Sequence, residues 1–443
     1  MVLRILVALF AIVAAAAAPA AEPTGRSLDT TAARATQDRH LGVATCAGSA
    51  CHGASRLRGG AVRQDEYLRW QRDDDHARAF TSLRNDRSRR IAANLGIQDA
   101  AAAPECLTCH ADVVPAAGRG ERFQLSDGVG CETCHGAAER WLSPHVRGYK
   151  SHAERLAHGL YPTWEPAARA ELCLSCHQGD ARRPMTHAIM GAGHPPLLFE
   201  LDTFTALQPA HFDVDADYIA RKGRPDDARL WITGQATAAR VQLAGLAERA
   251  LGGALFPELA FFDCNACHHP MQPARWQPQP GFAPGRVRVA DASFYLTALW
   301  LEAVKPDLAA RWREELAQLH EASGQGATEL RARAAAAIAL LEREVLPLAR
   351  AHAHDAAQLR RVALLLLDHT ATERAGDFSV AEQTAMATAV FATALGQSAG
   401  TKPSKALQDA ISQVYAAVEN RDRYEPEKLR AALRAVREQM AKK

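Results

Sequence analysis

The sequence has no excess of charge of one sign and no long apolar run beyond residue 20. Its 443 residues carry 52 lysines and arginines against 50 aspartates and glutamates, a formal net charge of +2. This balance gives no electrostatic support for binding to nucleic acid. No later stretch reaches the 18 or so apolar positions of a membrane-spanning helix. With 48% hydrophobic and 23% charged residues, the composition excludes a disordered chain and predicts two or three globular domains.

The first 20 residues have the layout of a secretory signal peptide. One basic residue, Arg4, precedes an apolar run from Ile5 to Ala18, and the small residue Ala20 follows. We therefore expect residues 1–20 to be cleaved and the mature chain to be exported to the periplasm, with a flexible leader over 21–39. The alternative is an N-terminal membrane anchor, for which an apolar run of about 14 residues is short.

No cysteine lies outside five short motifs, numbered here first to fifth in chain order. The first is Cys46-x4-Cys51-His52, and the others have the form C-x-x-C-H: Cys106/Cys109/His110, Cys131/Cys134/His135, Cys173/Cys176/His177 and Cys264/Cys267/His268. C-x-x-C-H is the attachment motif of c-type haem. Its two thiols bond to the vinyl groups at one edge of the porphyrin, and the adjacent histidine is the proximal iron ligand. The sequence therefore predicts five covalently bound haem c groups.

Other chemistries use cysteine pairs too. A zinc site would take two C-x-x-C pairs as four ligands, and a redox dithiol would not need the histidine that follows. For the wide pair, Cys46 and Cys51, a structural disulfide beside a surface histidine is the alternative. The histidine follows all five pairs, which favours haem.

Nine further histidines in the haem-bearing stretch supply candidates for the sixth iron ligand. We expect ligation by two histidines as the default, with Met185, Met190 and Met271 as the minor option that raises the potential. Sequence context favours five distal candidates: His76, His145, His187, His194 and His269. Four others have weaker support: His40, His152, His158 and His211. For each of these, a hydrogen-bonded or exposed histidine without iron is the alternative.

Two segments resemble a known family. The run from Gly128 to Gly136, which contains the third motif, and the segment from Trp70 to Phe80, which contains His76, are similar to multihaem cytochromes of the cytochrome c-554/c-prime type. The resemblance spans residues 40–270. It implies a mostly helical and irregular fold around a haem stack that shuttles electrons in the periplasm. The chain departs from that tetrahaem family in its fifth motif, its wide first motif, a long insertion before Cys264 and a long C-terminal tail.

The expected fold is mainly α, with a helical and irregular pentahaem cytochrome domain over 40–269 that has few strands. A proline-rich linker over 270–290 and an all-α helical bundle over 291–443 follow. Apolar periodicity predicts a helix over 227–252 that braces the haem domain. In the tail it predicts seven helices: Phe294–Val304, Pro306–Ala322, Thr328–Ala349, Asp355–Leu367, Ser379–Leu395, Ser404–Glu419 and Pro426–Met440. Ser379 and Glu382 fit a capping box, and helical spacing would place His352 and His354 on different faces.

These patterns favour an electron carrier over a catalyst. We expect five mostly bis-histidine haems to pass electrons between other periplasmic or membrane redox proteins. The alternative is a haem oxidoreductase that acts on a small nitrogen or sulfur compound at one five-coordinate haem, so the question of catalysis stays open. A third hypothesis is a structural or sensing subunit centred on the bundle. The bundle could also dock a redox partner or a second subunit.

Overall fold

The computed structural model describes residues 38–56, 63–148, 151–180, 182–249, 258–268 and 288–441. The expected mainly α fold is confirmed. Within these ranges the β pairing consists of two isolated bridges, His40 with Arg119 and Phe262 with Val289. No described helix is both long enough and apolar enough to cross a membrane. The predicted signal peptide and most of the predicted linker lie outside the described residues.

The first part of the chain folds into short helices separated by irregular segments. These are α1 (Val43–Cys46), α2 (Glu66–Asp73), α3 (Ala79–Ser82), α4 (Asp86–Asn94), α5 (Pro104–His110), α6 (Cys131–His135), α7 (Leu142–Arg147), α8 (His152–Ala157), α9 (Pro166–Leu174), α10 (His187–Gly191), α11 (Leu201–Leu207) and α12 (Ala216–Lys222). Glycines with positive φ end several of them, such as Gly136 after α6 at φ 82°. Glycine adopts this conformation at little steric cost, which stops a helix abruptly.

A long central helix, α13 (Asp227–Arg249), joins this part to the rest of the molecule. It packs against α9 and α11 on one side, and its other side contacts C-terminal helices. Trp231, Ile232 and Leu243 are completely buried. A helix buried on nearly all sides belongs to an interior rather than to a surface. The predicted brace therefore contacts both parts of the chain, and the domain limits themselves stay a prediction.

Eight helices build the C-terminal bundle over the described residues 288–441. They are α14 (Ala292–Val304), α15 (Pro306–Ala322), α16 (Ala327–Leu340), α17 (Leu346–Ala351), α18 (Ala356–His369), α19 (Phe378–Ser398), α20 (Lys405–Ala417) and α21 (Pro426–Ala441). One continuous apolar core, which includes Trp300, Trp312 and Phe391, runs through them and takes in α13.

Four details of the bundle differ from the sequence-based expectation. The helix predicted over Thr328–Ala349 is interrupted by a π-helical turn, Leu341–Val345, just before Pro347, which has no backbone N–H to donate. The predicted capping box at Ser379 is wrong, because the side chain of Asp377 caps α19 by accepting from the N–H of Val380. A capping box forms instead at Asp355.

The expected separation of His352 and His354 is also wrong. Helix α17 ends at Ala351, so the spacing of a helix does not apply to the residues that follow. The two imidazole rings meet with centroids 4.7 Å apart. The indole N–H of Trp300 donates to Nε2 of His354 at 2.7 Å.

Candidate metal centres

Four of the five motifs lie on a single turn of helix. The second and third motifs form the end of α5 and the whole of α6. The fourth continues from α9 into a π-helical turn, Ser175–Gly179, and the fifth begins on a 3₁₀ turn, Cys264–Ala266. Helical spacing of i and i+3 places both cysteines of a C-x-x-C pair on one face, as two bonds to one porphyrin edge require.

The wide first motif leaves its helix between the two cysteines. Cys46 ends α1, and Cys51 and His52 follow in a turn closed by a hydrogen bond from the N–H of His52 to the carbonyl of Cys46 at 3.2 Å. All ten cysteines are free thiols, including this pair. The disulfide considered as its alternative is not formed.

Each of the five motif histidines faces one other histidine ring. The centroid distances are 6.0 Å for His52–His145, 6.4 Å for His110–His194, 6.2 Å for His135–His211, 5.9 Å for His177–His76 and 6.1 Å for His268–His187. A metal ion bound by two imidazoles at about 2 Å from each nitrogen separates the ring centroids by roughly 6 Å. Every pair therefore has a spacing at which its two imidazoles could hold one metal ion between them.

Four of the five favoured distal candidates lie in these pairs: His76, His145, His187 and His194. His269, the fifth, lies outside the described residues. The partner of His135 is His211, one of the weaker candidates. Nothing in the local sequence of His211 distinguishes it. It lies in the loop between α11 and α12, which reaches His135 only through the tertiary fold.

The remaining weaker candidates are not in the five pairs. His40 is fully buried, and its Nδ1 lies 2.7 Å from Oδ2 of Asp112. His158 caps the C-terminal end of α8. The side chain of His152 lies outside the described residues.

Hydrogen bonds at Nδ1 orient several of the paired rings. Nδ1 of His52 and Nδ1 of His76 each lie 2.9 Å from a carboxylate oxygen, of Glu66 and Asp74 respectively. Nδ1 of His110 lies 3.0 Å from the carbonyl oxygen of Ala79. When Nδ1 carries the proton, Nε2 keeps its lone pair for a metal, and a partner at Nδ1 holds the ring in that tautomer.

Electrostatics keeps two of the motif imidazoles neutral. Burial lowers the pKa of His135 to about 4 and that of His177 to about 4. Burial opposes ionisation of Asp74 as well, but hydrogen bonds from His76 and Gln208 prevail and lower the pKa of Asp74 to about 2. Neutral imidazole is the form that binds iron, so these rings need not lose a proton to do so.

Cysteines of different motifs lie near one another. The thiols of Cys46 and Cys131, in the first and third motifs, are close enough to shift each other's pKa, and so are those of Cys109 and Cys176, in the second and fourth. Cys134 of the third motif lies within electrostatic range of the fourth-motif cysteines. His187 and His194, which face the fifth and second motifs, flank one short segment that contains α10. From these proximities we infer that the motifs follow one another in space in the order first, third, fourth, second, fifth.

A buried acidic side chain ties the third motif to the chain that precedes the first. Glu132 is 3% exposed, and its carboxylate accepts from the N–H groups of Leu41, Gly42 and Ala138 at 2.7–2.8 Å. Burial raises the pKa of Glu132 even though these three hydrogen bonds lower it. The contact fixes the start of the first motif against α6.

Residues 45–136 match the family model described as "Cytochrome c554 and c-prime". The matched segment is about a fifth of the chain and contains the first three motifs. The match supports a c-type cytochrome that takes part in electron transfer and carries covalently bound haem c. No curated protein and no solved structure matches the chain.

Proposed function

We propose that this protein carries electrons through five haem c groups, each held by one motif and by two axial histidines. The single observation that carries the proposal is the set of five histidine pairs with ring centroids 5.9–6.4 Å apart, one for each motif. Five motifs without partners would have suited a catalyst equally well. A second histidine opposite every motif histidine fits an electron carrier, since no coordination position of the iron would then be free for a substrate.

The residues around the pairs would hold the ligands rather than react. When bound, each haem supplies a one-electron Fe(III)/Fe(II) couple. Glu66 and Asp74 keep the imidazoles of His52 and His76 in the tautomer that presents Nε2. Rigid ligands favour fast electron transfer because little has to rearrange when the iron changes charge.

The order of the motifs suggests where electrons enter and leave. Cys51 of the first motif and Cys267 of the fifth are exposed, whereas the other eight cysteines are partly buried. The first and fifth motifs are also the two ends of the order given by the cysteine and histidine contacts. We therefore assign the entry and exit of electrons to these two ends.

The remaining parts of the proposal concern location and partners. A cleaved signal peptide over residues 1–20 would deliver the chain to the periplasm, where c-type haem is attached. The partners would be other periplasmic or membrane redox proteins, and nucleic acid is not among them. Two propionates on each haem would make the nearly neutral chain acidic, so partners with basic surfaces are expected in salt-sensitive encounters. The helical bundle could take part in docking or in oligomerisation.

The test combines a haem count with carbon monoxide binding. The pyridine haemochrome of the purified holoprotein should give five haems per chain. The dithionite-reduced protein should show no change of the Soret band under carbon monoxide, because both axial positions of each iron are taken. About one carbon monoxide per chain would expose a five-coordinate haem and favour an oxidoreductase, and far fewer than five haems would refute the motif assignment.

A further inference from the structure

Two aromatic side chains lie against the imidazole of His177, the histidine of the fourth motif. The ring of Phe199 stacks on this imidazole with a centroid distance of 4.7 Å and an interplanar angle of 24°. The ring of Phe204 lies 6.1 Å from the imidazole and 4.9 Å from the ring of Phe199. Because packed rings leave little free space, these contacts restrict rotation of the His177 imidazole about its side-chain bonds.

Within the described part of the chain, no hydrogen bond fixes the orientation of the His177 ring. Its partner His76 differs, since Nδ1 of His76 lies 2.9 Å from Oδ1 of Asp74. The planes of the His177 and His76 rings meet at 85°. Because Asp74 orients one ring of this pair, the angle between the two rings depends on how Phe199 packs on the other.

Hydrogen bonds from two long helices hold Phe199 in this place. Nε2 of Gln383, on α19, donates to the carbonyl of Phe199 at 2.9 Å. Oε1 of Gln383 accepts in turn from Nε2 of Gln235, on α13, at 2.8 Å. Gln235 is 3% exposed, so water competes little for this chain of hydrogen bonds. The residue that stacks on His177 is thus attached to the helical bundle.

The backbone of the fourth motif is attached to the same central helix. Gln178 directly follows His177, and its Nε2 donates to the carbonyl of Ala238, on α13, at 3.0 Å. Phe199 also packs on a small apolar cluster that contains Leu174, the last residue of α9, and Ala238. The imidazole and the ring that stacks on it are therefore held against one common support.

We propose that Phe199 is a positioning residue, which keeps the imidazole of His177 perpendicular to that of His76 when both bind the iron of the haem on the fourth motif. The bundle sets this angle through the hydrogen bond from Gln383. The inference rests on the proposed function, since it needs a haem on the fourth motif. That motif is central in the inferred order, so the bundle acts on the middle of the electron path. The residues around an axial ligand orient it, and its orientation determines the g values of the ferric low-spin iron.

Electron paramagnetic resonance of the ferric holoprotein tests this proposal. Three of the five histidine pairs are nearly perpendicular, and that of His177 is one of them. Phe199→Ala frees the imidazole of His177 to turn, so the perpendicular class of signal should lose about a third of its intensity. Phe199→Tyr keeps the aromatic face and should retain the wild-type spectrum. Loss of packing alone would lower the stability of the fold without moving one haem between classes.

Two matched substitutions on α19 test the part that the bundle plays. Gln383→Leu removes the hydrogen bond to the carbonyl of Phe199 and should change the same signal in the same direction as Phe199→Ala, by a smaller amount. Gln397→Leu removes a hydrogen bond from the same helix to Oδ2 of Asp227, at 2.9 Å, and should leave the spectrum unchanged. Identical spectra in Gln383→Leu and Gln397→Leu would overturn the role of the bundle.

The haem count separates failure of this inference from failure of the proposed function. Five low-spin haems with an unchanged spectrum in Phe199→Ala would overturn the inference and leave the electron carrier intact. Unmodified Cys173 and Cys176 in the wild type, read by mass spectrometry, would overturn the haem on the fourth motif and the inference with it. If Phe199→Ala does not fold, the contrast between Gln383→Leu and Gln397→Leu decides.

Discussion

Glu132 offers a direct test of how the haem-bearing region is held together. The substitution Glu132→Ala removes a carboxylate that accepts three backbone hydrogen bonds at 2.7–2.8 Å in a site that is 3% exposed. The N–H groups of Leu41, Gly42 and Ala138 would then have no acceptor. Two of them belong to the chain that leads into the first motif, so the loss falls on the contact between α1 and α6.

The expected cost follows from the number of donors left without partners. A buried polar group that loses its partner costs about 1–3 kcal/mol. Three such groups set an upper range near 3–9 kcal/mol, and water entering the space left by the side chain reduces it. Burial of the carboxylate is itself unfavourable, which reduces the cost further. We therefore expect a loss of about 3 kcal/mol in the free energy of unfolding, a large share of the 5–15 kcal/mol of a typical protein.

Guanidinium denaturation of the holoprotein, followed by far-ultraviolet circular dichroism, measures this loss. Glu139→Ala is the matched control, because it deletes a carboxylate that pairs with Arg39 at a solvent-exposed site, where ion pairs contribute about 0–1 kcal/mol. Glu132→Gln keeps one acceptor oxygen and should fall between the two. A cost for Glu132→Ala of under about 1 kcal/mol, or one equal to the control, would refute the reasoning.

Four further predictions follow from the same geometry. His211→Ala should create one high-spin haem that binds one carbon monoxide per chain. The control His369→Ala, in the bundle, should bind none. Low-spin spectra in both variants would contradict the pairing of His211 with His135 of the third motif. The ring planes of two histidine pairs are nearly parallel, with interplanar angles of 13° and 28°, and those of the other three pairs are nearly perpendicular, at 81–86°. Electron paramagnetic resonance of the ferric protein should therefore show two classes of low-spin signal in a 2:3 ratio. Gly136→Ala should lower the free energy of unfolding by about 1–2 kcal/mol or more. The φ of Gly136, 82°, is left-handed, and an added Cβ would lie 2.8 Å from a backbone oxygen. An unchanged denaturation midpoint would refute this prediction. Burial raises the pKa of Asp202 to about 8, so ionisation of Asp202 destabilises the fold as the pH rises from about 4 to about 8. The variant Asp202→Asn should therefore be more stable than the wild type, and by a larger margin at pH 8.5 than at pH 5. A gain in stability that does not depend on pH would contradict this prediction.

The resemblance to a multihaem cytochrome family rests on the short runs around the third motif and His76, which the sequence contains in full. The family model matches residues 45–136, which include both runs. Local patterns were equally informative for the fold, since apolar periodicity and proline or glycine positions predicted the helices of the bundle to within a few residues. The predictions were wrong where a neighbouring residue changed the local structure. Asp377 rather than Ser379 caps α19, and Pro347 follows a π-helical turn instead of a regular helix.

The sequence by itself determined the set of cysteines and motif histidines that we propose to hold haem, because covalent attachment needs those residues within one short segment. Only the tertiary structure decided which histidine faces which, because ligands on opposite sides of an iron can come from any part of the chain. His135 meets His211, and His52 meets His145, although each pair is far apart along the chain and no pattern of apolar residues in the sequence predicts the contact.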